Sequence, residues 1–198
     1  MSRMGIAALV VAAAVLLFGG TCVAKYNSLV KLDQAVDAQW AQVENVYQRR
    51  ADLVPNLVET VKGAAKFERE TITAVTEARS RVGQVAARGA PDDAAKMAEY
   101  QEAQDSLGGA LSRLLVVAEA YPNLTATQGF RDLQAQLEGT ENRIAVERMR
   151  FNDAAREFNT VRATFPNNIV ASIFGGKFAE KHYFSAKAGA ETPPKVQF

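Results

Sequence analysis

Apolar residues recur at steps of three and four along most of this chain. Leu29, Leu32, Val36, Trp40, Val43, Val46 and Tyr47 form one stripe, with polar residues on the opposite face, which predicts an amphipathic helix. The stripe leads to Arg49 and Arg50, cations suited to a helix C-terminus, and then to Asp52, a suitable N-cap three residues before Pro55. A proline in the first turn of a helix loses no needed hydrogen bond. The stretch RRADLVPNLVETVKG therefore predicts a turn over Arg49 to Asp52 and a second helix starting near Pro55. The alternative is one continuous helix kinked at Pro55, which strands a carbonyl and costs about 3 kcal/mol unless packing offsets it. No glycine marks the turn, which keeps that alternative open.

The second predicted helix carries Leu57, Val58, Val61, Ala65, Ile72, Val75 and Val82 to about Ala87, where RGAPDD supplies a glycine, a proline and two capping aspartates. A third runs from about Asp93 to Tyr121 with Met97, Tyr100, Leu107, Leu111, Leu114, Leu115 and Ala118 inward. After YPNLTATQ, where Thr125 or Thr127 can cap, a fourth carries Phe130, Leu133, Leu137, Ile144, Phe151, Phe158 and Val161 to Phe165, and FPNN ends it. Long helices with short connections favour antiparallel neighbours. The expected fold is all-α: an N-terminal transmembrane helix followed by an antiparallel up-and-down four-helix bundle.

The transmembrane expectation rests on residues 5–24, GIAALVVAAAVLLFGGTCVA, which hold no charged side chain. As a helix they span about 30 Å, the thickness of a bilayer's hydrocarbon core. An uncleaved signal anchor, a cleaved secretory peptide and a lipoprotein signal acylated at Cys22 are the three readings, and the anchor fits best because Thr21 is a poor residue before a lipoprotein cysteine and ordinary signal-peptidase cleavage is weakly signalled. The expected organisation is an anchor over 1–24, a bundle with a short capping segment over 25–184 and an extended tail over 185–198. The expected place is the cytoplasmic (inner) membrane, crossed once, with the bundle on the extracytoplasmic side. Lys and Arg in the flanks barely discriminate orientation. Past Phe165, the run Ile169, Val170, Ile173, Phe174 and Phe178 is flanked by Lys177 and Lys181. It reads either as a lid over the bundle base or as a headgroup-contacting segment.

Composition narrows the function. With 23 basic and 22 acidic residues the formal net charge is +1, so no nucleic-acid partner is expected. One cysteine and one histidine, Cys22 and His182, exclude an intramolecular disulfide and a zinc site of clustered Cys and His. A carboxylate-bridged di-iron bundle needs Glu-x-x-His pairs, which the chain lacks. No glycine-rich phosphate loop or Gly-x-Ser-x-Gly elbow is present. No cofactor, metal or catalytic residue is expected. Glu141 and Glu147, six apart, do not share a helix face and make a poor acid–base pair.

Several polar positions stand out all the same. Asn152 and Asn159 are seven apart, with Asn142 at a similar angle, and read as interhelical hydrogen bonds that set register or as a ligand-binding row. Arg49, Arg50 and Asp52 read as capping and solvent pairs or as a recognition patch. Gly108 and Gly109 suggest close helix approach or a hinge.

The stretches YNSLVKLDQAVDAQWAQVENVYQRRADLVPNLVETVKG, GALSRLLVVAEAYPNL, LEGTENRIAVERMRFNDAAREFN and FPNNIVASIFG together resemble the LemA family of bacterial membrane proteins, over nearly the whole chain from Tyr26 to about Phe184. The resemblance implies a four-helix bundle on an N-terminal membrane anchor, with no established enzyme activity and no agreed catalytic residues. It carries over motifs rather than roles: Tyr26 and Asn27, the stretch containing Arg49, Arg50, Asp52, Pro55 and Asn56, then Gly109, Glu141, Asn142 and Arg143, Asn152, Asn159, Phe165 and Pro166. Some relatives are lipoproteins with the cysteine just before the Tyr-Asn start, and Cys22 stands near that position.

The leading expectation is a membrane-anchored, non-catalytic interaction or scaffold module whose partners are the bilayer, through residues 5–24, and another protein or further copies of itself. The alternative is a ligand-binding sensor bundle coupled to the membrane. It is weakened because only about four residues precede the span, leaving no domain there to receive a signal.

Overall fold

The computed structural model describes residues 3–63 and 68–185, the side chains of 3, 4, 6–11 and 14 excepted. The described chain is all-α, without a strand. Its helices are α1 (Arg3–Lys62), α2 (Arg69–Ala86), α3 (Ala94–Ala118), the short α4 (Pro122–Thr125), α5 (Gln128–Ala163) and α6 (Asn167–Ile173), followed by a 3-10 turn over Gly175–Phe178. They divide into two compact units. The first unit combines Met1–Gln42 with Asp153–Lys181, and the second Val43–Asn152 with His182–Phe198.

The predicted break before Pro55 is not there. α1 continues through Pro55 to Lys62 and ends at a turn at Gly63, and Glu68 holds the position before α2 without a side-chain capping bond. Two facts explain the continuation. Val43, Tyr47, Arg50, Val54, Leu57 and Val61 are all buried, so the four-three stripe never loses its face, while Pro55 points outward. The proline also leaves the Ala51 carbonyl without its helical donor, and Arg79 Nε of α2 donates to that oxygen at 2.9 Å. Asp52, expected as an N-cap, lies mid-helix and accepts from Gln48 Nε2 at 2.7 Å. The cost of the proline is thus met by a side chain 28 residues away. Arg79→Ala should therefore cost about 1 kcal/mol in the natural chain and markedly less in a Pro55→Ala background, where residue 55 regains its N–H. Denaturant midpoints of the four variants check this, and equal costs in both backgrounds would contradict it.

The other boundaries follow their local signals. Asp93 caps α3, accepting from the Lys96 amide at 2.7 Å. Thr127 Oγ1 accepts from the Phe130 amide at the start of α5. At the far end of α5, Asn167 Nδ2 donates to the Val161 carbonyl, one of the acceptors a helix C-terminus leaves open.

Within the second unit the helices alternate direction. Arg81 pairs with Glu102 and Arg88 with Glu99, so partners fall along α3 as positions rise along α2. Tyr47 meets Arg148 and Arg50 meets Glu141, which sets α1 against α5 in the same opposed sense. In the first unit Leu29, Val36 and Trp40 of α1 are buried, as are Ala155 and Phe158 of α5, with Val170, Ala171 and Phe178.

The transmembrane expectation over residues 5–24 finds no support at this level. Among the described residues no helix is long and apolar enough to cross a membrane. Much of that segment, residues 6–11 and 14, lies outside the described side chains. The expected extended tail, from residue 186 onward, also lies outside the described residues.

Candidate functional site

The second unit is held by charged side chains in its interior. Arg50 falls at a stripe position between Tyr47 and Val54, so helical spacing turns its stem inward, and only 2% of the residue is exposed. Its guanidinium donates to the Gln104 carbonyl at 2.8 Å, to Gln104 Oε1 at 2.6 Å and to Glu141 Oε1 at 2.7 Å. Its charged carbon also lies 5.3 Å from the centre of the Tyr47 ring. One side chain of α1 thereby ties α3 and α5 together. A second arginine repeats the pattern, since Arg148 Nε donates to the Tyr47 hydroxyl and Nη2 to Asp105 Oδ1 at 3.0 Å. Its guanidinium lies over both the Tyr47 and Phe184 rings. Each cation has its carboxylate, the half-exposed Glu141 for Arg50 and the part-buried Asp105 for Arg148. Burial holds the Tyr47 and Tyr100 hydroxyls above the ordinary tyrosine range, against the opposing pull of nearby arginines. Both therefore stay neutral at physiological pH.

Beside this network lies a groove of about 440 Å³ lined by residues of α1, α2 and α3, among them Glu44, Gln48, Arg79, Tyr100 and Gln104. Among the described residues no three His, Cys, Asp or Glu side chains are grouped so as to hold a metal ion. Glu141 is committed to Arg50 and Glu147 to Arg150, so neither stands as an unpaired acid or base.

The first unit ends in an aromatic and cationic cluster. Tyr26 packs against Phe174 and Phe178, with ring centres 4.6 and 5.5 Å away. Lys177 Nζ lies 4.8 Å from the centre of the Tyr26 ring and donates to its hydroxyl. Lys181 pairs with Asp33 at 2.7 Å, and Arg162 Nε donates to the Phe178 carbonyl.

The two asparagines predicted to bond helix to helix do something else. In the first unit Asn159 Nδ2 donates to the Lys181 carbonyl and its Oδ1 accepts from the Lys181 amide, at 2.8 and 2.9 Å. In the second unit Asn152 treats Phe184 the same way, at 2.9 Å for both bonds. A carboxamide carries a donor and an acceptor side by side, the spacing of one residue's N–H and C=O, so each asparagine stands in for a neighbouring strand. From Ala179, which is extended, to Ser185 the chain forms neither helix nor turn, so its backbone groups need such partners.

Of the other residues singled out, Asn27, Arg49, Asp52, Pro55, Asn56, Gly109, Asn142 and Arg143 are exposed. Phe165 is exposed beside the half-buried Pro166, joined to it by a cis peptide bond. The network brings Arg50 and Glu141 together and leaves Arg49 and Arg143 outside it. Sequence reasoning missed Gln104, Asp105, Arg148 and Arg79. Arg148 and Asp105 carry no periodic signal because their heads reach across from the stripe's edge.

The glycine pair divides sharply. A methyl group on Gly108 would stand 3.3 Å from Arg50 Nη1, whereas one on Gly109 meets nothing within 4 Å. Gly109→Ala should stabilise the protein by about 0.5–1 kcal/mol through helix propensity alone. Gly108→Ala should forfeit that gain, because Arg50 is held by three hydrogen bonds and cannot retreat freely. Thermal midpoints of the two variants check the ordering.

Fold and geometry together define a class: a protein all-α over its described residues, with ion-paired arginines in its interior and an aromatic cluster where the last described α-helix ends. The chain belongs to the LemA family, whose model matches residues 39–198. It is similar to magnetosome protein MamQ 1 of Paramagnetospirillum magneticum, 28% identical over 90% of this chain and 71% of the relative. It is also similar to magnetosome protein MamQ of Magnetospirillum gryphiswaldense, 26% identical over 87% of this chain and 69% of the relative. A third relative is protein LemA of Metamycoplasma hominis, 24% identical over 75% of this chain and 64% of the relative. None of these names denotes an enzyme.

Proposed function

We propose that this protein is a non-catalytic helical module held to a bilayer by the start of α1, and that it works by binding another protein or further copies of itself. The observation that carries the anchor is the exposure of Val15, Leu16, Leu17 and Phe18, all above 60%, followed by Val23. Four consecutive helical positions turn through about 300°, so this apolar surface goes most of the way round the helix rather than forming one stripe. A stripe suits a protein partner, whereas an apolar girdle suits lipid. On this reading residues 1–24 are a single-pass anchor in the cytoplasmic membrane, and 25–184 form an up-and-down bundle on its extracytoplasmic side. The relatives named as magnetosome proteins are consistent with a place at a cellular structure, and the interior arginines, engaged with their own carboxylates, support a structural rather than a chemical use of the buried charge.

Crosslinking in intact membranes, followed by purification in mild detergent, tests the interaction half. The expected result is a discrete homo-oligomer or a stoichiometric partner. A protein that stays monomeric and partner-free under these conditions overturns it.

A further inference from the structure

We infer that the turn after α5, from Phe165 through α6 to Phe174, seats in the interfacial layer of the same bilayer that holds the start of α1. The inference rests on the anchor reading above. It starts from an asymmetry within the first unit. Asn167, Val170, Ala171 and Phe178 are buried, yet the side facing away from them is apolar too: Phe165 is 80% exposed, Ile173 67%, Phe174 48% and Ile169 41%. Ile169 and Ile173 are four apart in α6 and share a face, with Phe165 exposed in the turn that leads into the helix and Phe174 just past its end, so the exposed apolar residues gather in one short ridge. A ridge of this kind facing water is unfavourable and marks a surface that something covers.

Contacts within the unit give the ridge its level along α1. Asn159 reaches Lys181, which pairs with Asp33, and Arg162 reaches Phe178, which packs on Tyr26. Moving along α5 from Asn159 to Arg162 thus moves toward the start of α1, and Phe174 is itself against Tyr26. Phe165, beyond Arg162, falls at or past the level of Tyr26, where α1 passes into its exposed apolar stretch ending at Val23 and Ala24. The ridge is therefore continuous with the surface assigned to lipid.

The charges agree with lipid as the occupant. Lys177 is exposed beside the ridge and meets the Tyr26 ring and hydroxyl, with no carboxylate paired to it among the described residues. Lys181, farther from the anchor, is paired with Asp33. A tyrosine, a lysine and bulky apolar side chains at one level are the composition of a membrane–water boundary.

The test uses the full chain in phosphatidylcholine–phosphatidylglycerol vesicles with Cys22→Ser and single cysteines, carrying an environment-sensitive fluorophore, at Leu17, Ile173 or Glu138. Quenchers are lipids spin-labelled near the headgroup or deep in the acyl chain, and iodide in water. The expected result is deep-lipid quenching at 17, headgroup-level quenching with a blue shift at 173, and iodide quenching alone at 138. Quenching at 17 with a label at 173 that stays open to iodide overturns the inference and leaves the anchor intact. A label at 173 shielded from both lipid and iodide overturns it in favour of a protein cover. No lipid quenching at 17 overturns the anchor reading itself.

Discussion

Replacing Arg50 with alanine should lower the unfolding free energy by about 3 kcal/mol, although the residue is the kind most often found in solvent. The size follows from what the side chain leaves behind. Its packing volume between α1, α3 and α5 becomes a void, the buried Gln104 Oε1 loses the guanidinium donor, and the Gln104 carbonyl is left with its helical partner alone. Glu141 suffers less, because its side chain is 48% exposed and water can replace the guanidinium. Glu141→Ala should therefore cost about 1 kcal/mol, and the double variant should fall short of the sum by several tenths. Arg50→Met should recover part of the loss by filling the void while still orphaning Gln104. Urea midpoints order the set. A loss at Arg50 no larger than at Glu141 would mean that the buried network does not hold the second unit together.

Phe178→Ala carries the other large effect, a loss of about 3–4 kcal/mol. The ring is fully buried, packs on Tyr26 and lies under the Lys177 ammonium, while its own carbonyl receives the Arg162 donor. The residues around it hold the extended segment after the 3-10 turn, so its removal should also loosen that segment. Hydrogen exchange is the discriminating readout. The Lys181 amide, bonded to Asn159 Oδ1, should lose protection well before amides in the middle of α5. Uniform loss across α5 and the tail would show instead that the segment is not a separate, docked piece.

The stripes were legible because burial is periodic. Leu29, Val36, Trp40, Met97, Leu107, Leu114, Phe130, Leu137 and Phe158 all stand inside as their spacing predicts. Pro55 was misread because its penalty depends on whether the Ala51 carbonyl finds another donor. That donor, Arg79, lies on a different helix and leaves no local signature. The real break after Lys62 was visible in Gly63, but the proline is the stronger local signal and drew the boundary toward itself. Arg50 was misjudged for a related reason. Its stripe position argues for the interior and its charge for the surface, and only three partners drawn from two other helices let the position win. Asn152 and Asn159 were recognised as paired polar groups, yet their partner is the extended chain around Lys181 and Phe184, which has no periodicity to announce it.

Sodium carbonate extraction of membranes at alkaline pH, comparing the full chain with its Leu16→Arg/Leu17→Arg variant, tests the bilayer anchor most directly. Each arginine adds about 2.5–3.5 kcal/mol to insertion at mid-membrane depth. The natural chain should remain with the lipid pellet and the double variant should move to the supernatant. Release of the natural chain by carbonate, to the same extent as the variant, would contradict the anchor.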